Sequence, residues 1–253
     1  TMIVILGPTY SGKSELAVFL AEKLSGEVLS ADSRQIYKGL DIGSGKITKE
    51  EMRGIPHHLL DVANPKKRFS IVEYQKLATT KISEIFQRGK TPILCGGTGF
   101  YIQSIVDGII IPEVPPNTSL RKELSSKSAE ELFSILQKLA PQRASEIDAK
   151  NPVRLLRAIE IAKATGEIQP LQKNNPPYNI IQIGLTVEKE DLKKNIMERF
   201  EKRIKAGMVE EATQLHKDGL TWKRMRELGL EYRTLADFLT NKITKEEMRE
   251  TIT

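Results

Sequence analysis

The chain opens with an apolar strand that runs directly into a glycine-rich loop, and this pairing restricts the fold more than any other feature. Residues 2–6 read Met-Ile-Val-Ile-Leu, a continuous apolar run typical of a parallel strand buried on both faces. Residues 7–14 read Gly-Pro-Thr-Tyr-Ser-Gly-Lys-Ser and match G-x-x-x-x-G-K-[ST], with a strand before and a helix after. The sequence therefore predicts a phosphate-binding loop (P-loop) for a diphosphate or polyphosphate.

The residue types in this loop each have a physical reason. Glycines let backbone N–H groups converge on an anion, and the following helix adds the positive end of its dipole. We expect Lys13 to place its charge on phosphate oxygens and the Ser14 hydroxyl to bind Mg²⁺. The predicted diphosphate-binding residues of the loop are Gly7, Pro8, Thr9, Tyr10, Ser11, Gly12, Lys13 and Ser14.

The following hundred or so residues alternate between strand-like and helix-like patterns. A second short strand is predicted at 27–30, and a third, with its Gly-Gly-Thr-Gly turn, at 91–99. Between them a helix begins at Ser70, which forms a capping box with Glu73, and ends near Gly89. This alternation predicts an α/β fold, a P-loop NTPase-like doubly wound parallel sheet.

A helical region interrupts the alternation. Between residues 117 and 165 the apolar positions recur almost wholly with helical period, and Leu120, Leu132 and Leu139 belong to one stripe. A polar linker at 169–178 then leads back to a β-rich run. The predicted domains are a P-loop catalytic core of residues 1–113 and 177–253 and a helical insertion domain of residues 114–176.

Composition narrows the class of protein. Lys and Arg number 39 against 33 Asp and Glu, a net charge of +6, which weakly favours a polyanionic partner such as nucleic acid. Cys95 is the single cysteine, which excludes an internal disulfide, and we expect a reducing, cytoplasmic compartment. No apolar run approaches the roughly 20 residues of a membrane span, and no leader segment is expected before the first strand. We expect a monomer.

Asp32 follows the second predicted strand. The carboxyl ends of adjacent parallel strands face one crevice, so we expect Asp32 to point toward whatever the loop binds. A carboxylate there can take a proton from an attacking nucleophile, which is worth roughly 10²–10⁴-fold in rate. From its position alone, Asp32 is as well explained as a helix-cap or turn aspartate as it is as a proton acceptor.

His57 and His58 are the one adjacent histidine pair. A metal site needs further ligands, and no cysteine or acidic cluster lies at ligand spacing. We therefore predict a structural role for both.

Several further blocks make the sequence specific. After the loop they are Asp32-Ser33-Arg34-Gln35-Ile36-Tyr37, Asp41-Ile42-Gly43, Pro56-His57-His58-Leu59-Leu60-Asp61, Gly96-Gly97-Thr98-Gly99-Phe100-Tyr101, Arg154-Leu155-Leu156-Arg157-Ala158 and Gly229-Leu230-Glu231-Tyr232. This ordered series resembles the tRNA dimethylallyltransferases, also called tRNA isopentenyltransferases. The resemblance covers nearly the whole chain.

The resemblance implies transfer of a dimethylallyl group from dimethylallyl diphosphate to the exocyclic amine of the adenine 3′ of the tRNA anticodon. Lys13, the loop amides and Mg²⁺ on Ser14 would stabilise the leaving diphosphate, and each such donor is typically worth about 3 kcal/mol. Asp32 would accept the proton from the amine. Thr98 matches a family hydroxyl near the reacting centre, and its position also suits the N-cap of the following helix.

The resemblance also implies residues that contact the tRNA anticodon stem-loop, whose target base must leave its stack. They are Asp32, Ser33, Arg34, Gln35, Thr98, Arg121, Val153, Arg154, Leu155, Leu156 and Arg157. Arg154 and Arg157 lie three apart and share a helix face; without the resemblance, a solvated face is the favoured interpretation. In the basic segment 193–205, Arg199 or Arg203 can match a family arginine that reaches the diphosphate.

The sequence departs from the family at two places. Tyr10 stands at a loop position that is usually small, which we expect to reshape the mouth of the pocket. Family members usually continue beyond the position of Thr253 with an Arg-Gln-x-Thr-Trp-Phe-like segment. Either the sequence is truncated or the natural protein is short, and we expect part of the RNA-binding surface to be missing.

Three alternative functions remain open at this point. A small-molecule kinase would use the same loop to bind ATP and Asp32 as a base on a hydroxyl. An adenylate isopentenyltransferase would use a free nucleotide as acceptor, although the helical insertion favours tRNA. A nucleotide-dependent RNA-binding switch would bind RNA and leave it unmodified.

Overall fold

A computed structural model describes residues 1–166 and 172–252. Residues 169–171 of the predicted linker, and Thr253, lie outside the described residues. The strands are β1 Met2–Leu6, β2 Gly26–Ser30, β3 His57–His58, β4 Thr91–Gly96 and β5 Ile180–Gly184. The helices are α1 Lys13–Leu24, α2 Ile71–Gln87, α3 Gly99–Val106, α4 Thr118–Leu124, α5 Ala129–Leu139, α6 Pro141–Glu146, α7 Pro152–Thr165, α8 Lys189–Lys205, α9 Met208–Lys217, α10 Trp222–Arg226, α11 Leu230–Leu239 and α12 Lys245–Ile252.

The five strands form one parallel sheet in the order β3-β2-β4-β1-β5. Leu6 pairs with Gly96, and Ser30 pairs with Cys95. β1, β2 and β4 therefore end level with one another, and the turns that follow them share one edge of the sheet. The predicted α/β fold is confirmed.

The inner strands β1, β2 and β4 are buried on both faces of the sheet, to which alternate side chains of each strand point. One face packs against α1 through Ala17 and Ala21. The other packs against α2 and α3, where Tyr74 and Tyr101 stack with ring centroids 3.8 Å apart. α2 begins at the predicted capping box of Ser70 and Glu73. This burial explains the continuous apolar run of β1 and the apolar middle of β4.

The chain divides into two compact units, Thr1–Val106 with Pro176–Thr253 and Asp107–Asn175. The second unit begins at Asp107, ahead of residue 114 at which the sequence pattern changes. Its core combines residues of α4, α5, α6 and α7: Leu120, Leu124, Leu132, Leu136, Ala144, Leu155, Ala158 and Ile159. Leu139, which we placed on the apolar stripe, is 41% exposed. Leu139 is the last residue of α5, and the backbone leaves the helical conformation at the next residue, Ala140, where φ is −151°.

Three smaller predictions concern Cys95, the adjacent histidines and membrane spans. Cys95 is a free, buried thiol, and burial raises its pKa to about 12, so it stays protonated at neutral pH. His58 Nε2 lies 2.6 Å from Glu27 Oε2, and His57 Nδ1 lies 2.8 Å from the Ile55 carbonyl oxygen, so both histidines take part in holding the sheet edge. Within the described residues, no helix is both long and apolar enough to cross a bilayer.

Candidate active site

The loop between β1 and α1 forms a cradle that contains a buried donor without a partner among the described residues. α1 begins after Gly12, which has a left-handed conformation (φ 82°) and provides no side-chain cap. Among the described residues, the Ser11 hydroxyl is the one buried side-chain polar atom without a hydrogen-bond partner. Gly7 lets the loop approach β5, since a Cβ there would lie 2.6 Å from the Leu185 carbonyl oxygen. A buried unpaired donor beside an uncapped helix N-terminus suits an anion.

Lys13 lies in this cradle with its charge only partly compensated. Its ammonium donates to the Pro8 carbonyl. Burial lowers the pKa of Lys13, the neighbouring Asp32 opposes this effect, and Arg199 reinforces it. Because burial and a second cation both disfavour the charged lysine, a bound polyanion would stabilise it.

Two arginines of α8 lie over the Tyr10 ring. The guanidinium carbon of Arg199 is 4.5 Å from the ring centroid, and that of Arg203 is 5.2 Å away. Tyr10 holds its ring there from a left-handed backbone conformation (φ 68°). Burial lowers the pKa of Arg199, and the charge of Arg203 lowers it further. Lys13, Arg199 and Arg203 therefore form a cationic cluster beside the cradle.

The two arginines differ in what else they contact. Arg203 Nη1 donates to the Gly43 carbonyl at 3.4 Å, and its guanidinium packs so closely on Gly45 that a Cβ there would overlap it. Arg199 makes no hydrogen bond or ion pair within the described parts of the chain. Arg199 is thus the better placed of the two to bind an anion directly.

One carboxylate oxygen of Asp32 accepts hydrogen bonds from the backbone, and the other has no hydrogen-bond partner among the described residues. Its Oδ1 accepts hydrogen bonds from the backbone amides of Arg34, at 2.8 Å, and Gln35, at 3.4 Å. Its Oδ2 has no hydrogen-bond partner within residues 1–166 and 172–252, and its charge acts on Lys13. The turn role and an acid–base role are therefore compatible in a single carboxylate.

Thr98 joins the turns after β2 and β4. Its hydroxyl accepts from the Ser33 amide at 2.9 Å and lies 3.2 Å from the Ser33 hydroxyl, and its own amide donates to the Ala31 carbonyl at 3.1 Å. Gly96 permits this approach, because a Cβ on it would collide with the Ala31 backbone. The hydroxyl is thus bonded to the neighbouring turn, while the Thr98 carbonyl accepts hydrogen bonds from the Tyr101 and Ile102 amides of α3.

Glu211 is a residue of this unit that sequence reasoning missed. Its carboxylate accepts hydrogen bonds from the backbone amides of residues 41–43 and from the hydroxyl of Tyr232. Both partners belong to blocks that carried the family resemblance, Asp41-Ile42-Gly43 and Gly229-Leu230-Glu231-Tyr232. Glu211 itself lies in an ordinary amphipathic helix, so no local pattern identifies it.

In the second unit, two predicted RNA-contacting arginines converge on a buried carboxylate. The Glu160 side chain is 0% exposed, while those of Arg121 and Arg157 are 34% and 33% exposed. Arg121 binds both oxygens of Glu160, at 2.6 and 2.8 Å. Arg157 reaches one oxygen at 3.2 Å and the Val114 carbonyl at 2.7 Å. These contacts join the segment before α4 to α7.

The other predicted RNA-contacting residues of α7 differ in exposure. Val153 is 77% exposed and Arg154 is exposed beside it. Leu156 is half-buried. Leu155 is fully buried in the core of the unit, so its side chain is committed to packing. In the first unit, Arg34 packs on Gly229, where a Cβ would lie 2.8 Å from Arg34 Nε.

The parallel sheet and the glycine-rich loop at its carboxyl edge define a P-loop α/β protein. Residues 35–253 match the family model described as IPP transferase. The chain belongs to the IPP transferase family. It is 40% identical over 247 residues to tRNA dimethylallyltransferase 2 of Trichlorobacter lovleyi, covering 98% of this chain and 81% of that relative. It is 42% identical over 223 residues to tRNA dimethylallyltransferase of Anoxybacillus flavithermus, covering 87% and 72%.

Solved structures agree with this assignment. The full-length tRNA isopentenylpyrophosphate transferase from Bacillus halodurans superposes with a TM-score of 0.73 at 36% identity, covering 100% of this chain and 81% of that one. A eukaryotic dimethylallyltransferase acting on tRNA superposes with a TM-score of 0.80 at 26% identity, covering 99% and 65%.

Proposed function

We propose that the protein transfers a dimethylallyl group from dimethylallyl diphosphate to the exocyclic amine of the adenine 3′ of the tRNA anticodon, releasing diphosphate. The observation that carries the proposal is the free Oδ2 of Asp32, whose charge acts on Lys13 in the anion cradle. The names of the relatives, tRNA dimethylallyltransferases, support the same reaction.

The reaction balances with these groups. The bond between the allylic carbon and the diphosphate oxygen breaks, and its electron pair leaves with the diphosphate. The adenine amine forms the new bond to that carbon and gives up one proton. Asp32 Oδ2 accepts the proton, as a base within hydrogen-bond reach of the amine would.

Charge stabilisation is the main contribution of the cradle. Negative charge grows on the diphosphate as the bond breaks, and Lys13, the loop amides and the Ser11 hydroxyl surround that position. Arg199 adds a guanidinium that has no acceptor among the described residues. A preorganised donor of this kind is typically worth about 3 kcal/mol in the transition state.

The residues present fit a Mg²⁺ ion. The Ser14 side chain is exposed in the first turn of α1, and a hydroxyl oxygen is a ligand that Mg²⁺ accepts beside phosphate oxygens. Among the described residues, no cluster of three or more His, Cys, Asp and Glu side chains could hold a metal, so the donor itself would supply further ligands. When bound, Mg²⁺ would neutralise part of the diphosphate charge.

We propose that tRNA binds through both units. In the first, the Asp32-Ser33-Arg34-Gln35 turn and Thr98 would contact the target base and its neighbours. In the helical insertion domain, residues 114–176, exposed Val153 and Arg154 would contact the anticodon stem-loop. Arg121 and Arg157, each about one-third exposed, would add positive potential.

A single labelling experiment tests the proposal. Unmodified tRNA is incubated with labelled dimethylallyl diphosphate and Mg²⁺, and the nucleosides are then analysed. We expect label on the adenine 3′ of the anticodon. AMP replaces tRNA in a parallel reaction, and labelled ATP replaces the donor in another. Label on AMP alone would indicate an adenylate isopentenyltransferase, and release of ADP without prenyl transfer would indicate a kinase; either result would overturn the proposal.

A further inference from the structure

The Glu211 carboxylate on α9 accepts four hydrogen bonds, three from a distant loop and one from Tyr232. Its Oε2 accepts from the Asp41 amide at 2.9 Å and the Ile42 amide at 2.7 Å. Its Oε1 accepts from the Gly43 amide at 3.0 Å and the Tyr232 hydroxyl at 2.6 Å. A carboxylate that receives several backbone N–H groups holds them more strongly than a neutral acceptor would.

Tyr232 and Gly43 shape this contact as well as bonding to it. A Cβ on Gly43 would lie 2.6 Å from Tyr232 Cζ, so the ring occupies the space that any other residue at position 43 would need. Tyr232 is 1% exposed, and burial, followed by the charge of Glu211, raises the pKa of its hydroxyl. The hydroxyl therefore remains a donor throughout the working pH range.

The loop that Glu211 holds, residues 41–45, contacts both sides of the candidate site. The Gly43 carbonyl accepts from Arg203, which lies over the Tyr10 ring of the phosphate loop. The Gly45 carbonyl accepts from the Gln35 side chain at 3.3 Å. The Gln35 backbone belongs to the turn closed by Asp32. One short loop thus contacts both Arg203, beside the phosphate loop, and Gln35, in the turn that contains Asp32.

Lys46 anchors the end of the 41–45 loop in a different way. Its side chain is 6% exposed and donates to Asp41 Oδ1 and Asp61 Oδ1, both at 2.6 Å, and to the Tyr37 carbonyl at 3.0 Å. These bonds hold side chains and the loop's far end. The backbone amides of 41–43, which set where the Gly43 carbonyl points, are bonded to Glu211.

We propose that Glu211 is a positioning residue for the transfer reaction: together with Tyr232 it holds the 41–45 loop where Arg203 faces the donor and Gln35 faces the acceptor. The inference rests on the function proposed above. It has a distinctive consequence: loss of the Glu211 carboxylate weakens the binding of both dimethylallyl diphosphate and tRNA, although Glu211 contacts neither substrate.

The test compares Glu211→Gln with Glu27→Gln. Glu27 is the control because its carboxylate also accepts hydrogen bonds from other parts of the chain, from Arg88 at 2.7 Å and His58 at 2.6 Å, but it lies at the opposite end of β2 from the site. We expect both variants to lower the melting temperature. For Glu211→Gln we expect the KM values of dimethylallyl diphosphate and tRNA to rise about 10-fold each, a loss of uniform binding, and for Glu27→Gln we expect neither to change.

Single-sided variants sharpen the test. Arg203→Gln should raise mainly the donor KM, and Gln35→Ala mainly the tRNA KM, whereas Glu211→Gln raises both. Tyr232→Phe keeps the ring against Gly43 and removes one of the bonds to Glu211, so its effect should be smaller than that of Glu211→Gln. Unchanged KM values in Glu211→Gln, with a melting temperature lowered as in Glu27→Gln, would overturn the proposal.

Hydrogen exchange separates this inference from the proposed function. In the wild-type protein the amides of residues 41–43 should be protected, and in Glu211→Gln they should exchange at least about 10-fold faster, the loss of local protection expected when a loop opens. If the wild-type protein transfers no prenyl group, the proposed function fails. In that case the binding of inorganic diphosphate, measured by calorimetry, still tests the positioning role of Glu211. A diphosphate affinity about 10-fold weaker in Glu211→Gln supports that role. Unaltered diphosphate affinity, or unaltered exchange protection of the 41–43 amides, overturns it.

Discussion

The hydroxyl of Thr98 accepts a hydrogen bond from the backbone amide of Ser33 at 2.9 Å. Thr98 follows β4 and Ser33 follows β2, so this bond ties together two turns at the carboxyl edge of the sheet. Asp32 lies in the turn after β2, next to Ser33. The position of the candidate base therefore depends on a side chain from a different strand.

Replacing Thr98 tests that dependence. Thr98→Val keeps the shape but leaves the partly buried Ser33 amide without its acceptor, which should cost about 1–3 kcal/mol of stability and lower kcat. Thr98→Ser keeps the hydroxyl and should retain most of both. Thermal unfolding and steady-state kinetics measure the two effects. Equal behaviour of the two variants would contradict the role of the hydroxyl.

Asp32→Asn separates the two oxygens of this side chain. The asparagine oxygen can still accept from the Arg34 amide, so the turn should persist, while the basic oxygen is lost. We expect kcat to fall by roughly 10²–10⁴-fold with the affinity for dimethylallyl diphosphate unchanged, measured by single-turnover kinetics and calorimetry. A parallel loss of binding and turnover would remove Asp32 from the role of base.

Arg199 and Arg203 should contribute unequally to donor binding. Arg199→Gln removes a guanidinium that has no acceptor among the described residues, and we expect the donor Kd to rise about 10- to 100-fold, the effect of losing a hydrogen bond to a charged group. Arg203→Gln should raise it less, since part of its charge already faces the Gly43 carbonyl. The ratio of the two Kd values decides the matter, and a larger effect at Arg203 would reverse the assignment.

Glu160 should make the stability of the helical unit dependent on acid pH. Burial raises its pKa, but hydrogen bonds from Arg121, the Asn117 amide and Arg157 outweigh this, and the net pKa lies below the usual 4.5. A depressed pKa stabilises the folded state above pH 4.5, and the contribution is lost as pH falls through the lower folded-state value.

The variant Glu160→Gln removes this contribution at every pH. We expect a loss of about 3 kcal/mol at pH 7, near the lower end for breaking a buried ion pair, because both arginines remain partly exposed. Glu146→Gln, which breaks an exposed pair with Arg143, should cost less than about 1 kcal/mol. Thermal unfolding between pH 7 and 3 should show the wild type converging on Glu160→Gln below pH 4.5; parallel curves would contradict the prediction.

Arg154 should act on RNA binding without affecting stability. Its side chain is exposed on α7, so Arg154→Gln should leave the melting temperature unchanged and raise the tRNA KM several-fold. The slope of log K against log salt should become shallower by about one. Lys138→Gln, an equal loss of charge on α5, is the control. Equal slopes for Arg154→Gln and the wild type would assign Arg154 to a plain solvated face.

The features that could be predicted are those that depend on residues close together in the sequence. The parallel sheet followed from apolar runs with flanking glycines, and the helix starts at Ser70 and Asn151 followed from their capping patterns. The same local signals failed at Leu139, the last residue of α5, whose side chain is exposed. Whether Arg199 or Arg203 is free could not be predicted, because the two residues differ only in their contacts with a loop far away in sequence.

By itself the sequence determined the fold class and the phosphate loop, because strand burial, helix capping and anion-binding loops depend on side chains a few positions apart. Only the tertiary structure decided that Glu211 holds residues 41–43, that Thr98 ties down the Asp32 turn, and that Glu160 collects Arg121 and Arg157. Each of these contacts joins residues distant in the chain or depends on which side of a helix faces the core. Hydrogen bonds of that kind have no local period, so the packed structure alone reveals them.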